Sequence, residues 1–108
     1  MMRNMAGMMK KVQEMQGQLE TMQTNLNAME FTAIVGGGAV SATVTGDGKL
    51  AKLKLRQDTI ELNDSEMLED MICLATNQAH QKASEEKSRM IKDITGGLPL
   101  PPGMNLPF

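Results

Sequence analysis

Cys73 and His80 are the side chains in this sequence most suited to nucleophilic or acid–base work, and each type occurs once. Seven residues apart on a helix they share a face, but about 10 Å of rise separates them, too far for a thiolate–imidazole pair. Cys73 is therefore expected as a small buried apolar residue. A lone cysteine forms no internal disulfide, which predicts a reducing, cytoplasmic setting. His80 has no second His or Cys at ligand spacing, so no metal site is expected, and it reads as a surface or seam residue. Gly36-Gly37-Gly38 lacks the Lys-Ser/Thr and following helix of a phosphate loop and reads as a turn. The adjacent carboxylates Glu69-Asp70 and Glu85-Glu86 point to different sides of a helix. These residues predict no enzyme, no cofactor, no metal and no small-molecule substrate.

Cations are the remaining chemistry. The chain holds 11 Lys+Arg against 13 Asp+Glu, a net charge of -2, which argues against a generic polyanion binder. By segment the picture differs. Residues 1–29 carry Arg3, Lys10 and Lys11 ahead of Glu14 and Glu20, and 76–95 carry Lys82, Lys87, Arg89 and Lys92 against three acids; each segment nets +1. Residues 64–75, in contrast, net -4. Cations thus gather on helix ends that lie away from the middle of the chain, a pattern that also fits ordinary solvated helix faces. With two Phe and no Trp or Tyr, base stacking is not available, leaving salt-sensitive phosphate contact for any nucleic acid.

The elements that must carry these residues follow from periodicity. Met5, Met8, Val12, Met15, Leu19, Met22, Leu26 and Met29 keep a 3-4-3-4 spacing, which predicts a narrow-seam helix over 3–29, part of it projecting from a chain of 108 residues. The period then changes to two. EFTAIV, AVSATVT and KLAKLKLR, separated by GGG and GDG, predict a three-stranded antiparallel meander over 30–56. Val40, Ala42 and Val44 with Ala51, Leu53 and Leu55 make its apolar face; Ser41, Thr43 and Thr45 with Lys52, Lys54 and Arg56 make the other, read as a solvent face that discourages edge pairing. A loop, 57–62, leads to a capping-box-like start at Asn63 and Glu66 and a helix over 64–95. From Gln81 to Arg89 that helix is almost wholly polar, so its distal half is expected to be partly free of the core. Gly96-Gly97 ends it, and the proline-rich 98–108 reads as an extended tail beyond a single domain, 1–97. So small a sheet exposes its edges, which a second copy would cover. No apolar run is long enough for a membrane span.

The opening MMKKVQEMQGQLETMQ, the GGGAVSATVTGDG region, Met67-Leu68-Glu69-Asp70-Met71-Ile72 followed by Asn77-Gln78-Ala79, and the closing Leu100-Pro101-Pro102-Gly103-Met104-Asn105-Leu106-Pro107-Phe108 stand in one order across nearly the whole chain. In this the chain resembles the YbaB/EbfC family of bacterial nucleoid-associated proteins. The resemblance implies an α+β fold and a tweezer-shaped homodimer. Its sheets would lie near the dimer core, and its long helices would protrude to grip double-stranded DNA in the cytoplasm, at the nucleoid. The first and last helices are the DNA-contacting ones in that family, which maps onto Arg3, Lys10 and Lys11 and onto Lys82, Lys87, Arg89 and Lys92. Two departures stand out: Leu55-Arg56-Gln57-Asp58 replaces an Ile-Asp-Pro-like turn, and Asn105 stands where relatives often carry lysine. A reading from another class is an adaptor or chaperone-like protein whose methionine-rich helix accepts apolar segments of partners, without direct DNA binding.

Overall fold

Once its methionine-rich seam has ended, the chain turns at Met29, whose amide bonds back to the Leu26 carbonyl, and enters the sheet one residue later. The computed structural model describes residues 2–96, with side chains from Met5 onward. The order is α1 (Met2–Ala28), β1 (Glu30–Val35), β2 (Val40–Thr45), β3 (Leu50–Leu55), α2 (Gln57–Glu61) and α3 (Ser65–Thr95), with Gly36–Gly38 forming a 3-10 turn. This is the expected α+β arrangement of helix, meander and helix. The proline-rich segment lies outside the described residues.

The sheet is antiparallel in the order β1-β2-β3, and α3 lies across one face. Alternation decides which face. Ala33, Val35, Val40, Ala42 and Val44 are buried, and the stripe Ala75, Ala79 and Ala83 on α3 packs against them. Alanines one turn apart let the helix backbone approach the sheet closely, while Leu55, Leu68, Met71 and Ile72 fill the wider end.

Several local expectations are corrected. The segment after β3 is a short helix, α2, not a loop. Asn63 does not cap α3. It sits at φ 54, and Asp64 is the cap, accepting from the Met67 amide at 3.1 Å. In β3 the register shifts at Thr43/Val44, so Leu50 pairs with Val44 and Ala51 becomes the extra residue of a bulge. Cys73 is exposed rather than buried. Arg56 leaves the strand face, its Nη1 donating to the Gly37 carbonyl at 3.0 Å and its Nε to Asp58 at 2.6 Å.

The largest correction concerns the distal half of α3. Met90, Ile91 and Ile94 pack on Met15, Leu19, Met22 and Leu26 of α1, so the two helices run antiparallel through a shared seam instead of standing apart. Within the polar stretch from Gln81 to Arg89 Ala83 is buried and Glu86 and Lys87 are half-buried, which keeps one side of the helix turned inward. The pair makes a rod. The molecule spans 71 × 20 × 19 Å with a radius of gyration of 19.6 Å, against about 13 Å for a globular chain of this length.

Candidate nucleic-acid interface

Lys10 and Lys11 are exposed on the part of α1 that reaches past Met15, the outermost α1 residue of the shared seam. Met5, Met8 and Met9 beside them are 65%, 67% and 64% exposed, so nothing described packs on this end of the helix. Among the described residues neither lysine makes an ion pair. Arg3 belongs to the same helix, its side chain lying outside the described residues.

The α3 cations occupy three different environments. Lys82 is beside the sheet, not at a helix tip: its ammonium donates to the Thr32 carbonyl of edge strand β1 at 2.6 Å. It thereby occupies an acceptor that an incoming strand would use. Arg89 is held by two carboxylates, bridging Glu86 and Asp93, with Nη1 to Asp93 Oδ2 at 2.8 Å. A phosphate would have to displace or outcompete these partners. Lys92 is exposed and makes no ion pair among the described residues. Lys87 is half-buried, and burial holds its ammonium below the ordinary lysine range because the charged form is the harder to desolvate.

Lys87 opens onto a cleft of 490 Å³ where the C-terminal end of α1, the β2–β3 turn and α3 meet. Gln23 and Asn27 line one wall, His80 and Ser84 the other, and the Gly46-Asp47-Gly48 turn closes the end. Thr45 donates its hydroxyl to Asp47, and that bond keeps the Asp47 carboxyl below the usual carboxylate range. The spacing of His80, Ser84 and Lys87 on one helix face is legible in the sequence. Their meeting with Gln23 and Asn27 depends on the antiparallel pairing of α1 with α3, which periodicity alone does not report.

The outer sheet face carries Lys54 opposite Ser41 and Lys52 opposite Thr43, with Thr32 and Thr43 hydroxyls 2.7 Å apart between them. Among the described residues no cluster of three or more His, Cys, Asp or Glu could hold a metal ion. Nor is any described helix long and apolar enough to cross a membrane.

Comparisons with known proteins agree over nearly the whole chain. It is 46% identical over 98 residues to a nucleoid-associated protein of Clostridium acetobutylicum, covering 91% of this chain and 88% of that one. It is also 41% identical over 107 residues to a nucleoid-associated protein of Rhizobium meliloti, covering 99% and 100%. The crystal structure of an uncharacterized protein from Helicobacter pylori shares the fold, with a TM-score of 0.69 at 21% identity over 85% of this chain and 94% of that one. The model of the YbaB/EbfC DNA-binding family matches residues 1–98, and the chain belongs to that family.

Proposed function

We propose that this protein binds double-stranded DNA as a homodimer at the bacterial nucleoid, with Arg3, Lys10 and Lys11 of α1 and Lys82, Lys87, Arg89 and Lys92 of α3 as its phosphate-contacting set. The observation that carries the reading is the pair Lys10 and Lys11. In a member of a DNA-binding family, they are exposed cations without a carboxylate partner among the described residues, on a helix that reaches past its own packing. Within the set the weights differ. Lys10, Lys11 and Lys92 are ready for phosphate, Arg89 must exchange its carboxylates, and Lys82 contributes only if it leaves Thr32.

Dimerisation is supported by apolar surface at the sheet. Leu50 and Leu53 on edge strand β3 are 47% and 40% exposed, and Ile34 on the outer face is 64% exposed. A second copy laid along the β3 edge would bury Leu50 and Leu53 and leave two rods extending from one body.

The test is a salt titration of duplex binding together with a solution mass. A two-chain mass and an affinity that falls linearly in log salt are expected; a single-chain mass, or no mobility shift at low salt, defeats the reading. The exposed methionines of α1 favour a second reading, an adaptor that takes apolar peptide. Salt-tolerant peptide capture unaffected by nuclease would support it.

A further inference from the structure

The two ends of the molecule carry opposite charge, each beside exposed apolar side chains. α3 begins near Val35 and Val40, at the end of the sheet away from α1, whereas the start of α1 lies beyond Met15 at the other end of a molecule 71 Å long. Along the first turns of α3, Met67, Met71 and Leu74 floor a shallow hollow of 370 Å³ rimmed by Asp64, Glu66 and Asp70. No cation lines it, and among the described residues none of these three carboxylates makes an ion pair. Leu74 is 50% exposed. Met71 abuts Gly36, so the hollow lies by the turn between β1 and β2 and leaves the β3 edge clear.

At the opposite end Met5, Met8 and Met9 are exposed and, with half-buried Val12, form a stripe about 100° wide on α1. Lys11 stands about 60° beyond one edge of that stripe and Lys10 about 100° beyond the other. Glu66 and Asp70, four apart, share one side of the hollow. Whichever way a helix is laid stripe-down there, one lysine reaches that side. We propose that, with no DNA bound, this α1 end of one copy docks in the hollow on α3 of another copy, its methionines on Met67, Met71 and Leu74 and a lysine beside Glu66 and Asp70. The two surfaces lie too far apart in one chain to meet, so the contact is between chains. It joins unlike surfaces, and since every copy offers both, copies add end to end. Unbranched methionine side chains adapt to a shallow, irregular floor. Exposed charge pairs are weak and screened by salt, so the assembly grows with protein concentration and dissolves as salt is raised.

The full chain without DNA tests this in two ways. Met8→Cys and Leu74→Cys are made separately, each in a Cys73→Ser background, then mixed in equal amounts and oxidised mildly at low salt. Random encounter gives the mixed disulfide at about twice the yield of either same-variant bond, and docking is expected to raise that ratio to about tenfold or more. A ratio at the random value overturns the proposal. In sedimentation velocity the average mass of the natural chain is expected to rise past two chains with concentration at low salt, and Glu66→Lys with Asp70→Lys to weaken that growth about tenfold or more. A mass that levels at one or two chains, or growth unchanged in the variant, overturns it. Failure in these DNA-free measurements leaves the duplex reading standing.

Discussion

Gly46 and Leu26 meet backbone to backbone: a Cβ built on Gly46 would stand 1.9 Å from the Leu26 carbonyl oxygen. The Gly46 amide donates to the Met29 carbonyl at 3.1 Å, which seats the β2–β3 turn on the end of α1. Gly46→Ala must therefore push α1 off the turn. A loss of about 2 kcal/mol or more is expected in urea unfolding. Gly17, in the same helix with nothing within 4 Å of its Cβ position, should behave oppositely. Gly17→Ala is expected to add about 0.5–1 kcal/mol from helix propensity. Similar midpoints for the two variants would contradict the packing described.

At the start of α3 the cap and its neighbour can be separated. Asp64→Ala removes the acceptor of the Met67 amide and is expected to cost about 1 kcal/mol. Asn63→Gly keeps the positive φ without a side-chain penalty and should be neutral or stabilising by at most about 1 kcal/mol. If Asn63→Ser were the more damaging change and Asp64→Ala silent, Asn63 would be the cap after all.

DNA affinity should depend most on the lysines of α1. Lys10→Glu with Lys11→Glu is expected to weaken duplex binding about tenfold or more at low salt and to lower the log–log salt slope by about 2. An unchanged slope in fluorescence titration would remove these residues from the interface.

Arg89 should respond to its partners rather than to its own charge alone. Replacing them, Glu86→Gln with Asp93→Asn, removes two negative charges and frees the guanidinium for phosphate. Duplex affinity is then expected to rise by severalfold at low salt, and adding Arg89→Gln should cancel part of that gain. A gain that survives Arg89→Gln in full would show a net-charge effect with no role for the arginine.

Acid sensitivity should trace in part to Asp58. Its hydrogen bond from Arg56 holds the carboxyl below the ordinary value of about 3.9. Because the folded value is the lower one, the contribution is present above about pH 3.9 and is lost as pH falls through the folded value. Asp58→Asn should lose stability at neutral pH and lose less of what remains between there and about pH 3, followed by urea midpoints. An acid profile parallel to the natural chain would exclude this pair. Both partners are well exposed, so the effect is small.

The α1 helix, the three strands and the long α3 were legible because each is written in its own period: 3-4 spacing from Met5 to Met29, alternation in Val40-Ser41-Ala42-Thr43-Val44, glycine turns between. The positions of Lys10 and Lys11 on an outlying helix end were legible too, since α1 must enter the sheet at its C-terminus. The tertiary structure decided what periodicity cannot carry. Met90 and Ile94 follow a stretch too polar to announce a partner, and only the antiparallel fit against Leu19 and Met22 gives them a buried side, while Ala83 within that stretch is buried against Ala33 and Val44 of the sheet. That fit also brings Gln23 to His80, and Lys82 is drawn to Thr32, because contacts between segments far apart in sequence depend on how faces meet. The fates of Cys73 and Arg89 follow from the same cause: which side of α3 the alanine stripe turns to the sheet fixes which side is left to water and to neighbouring charge.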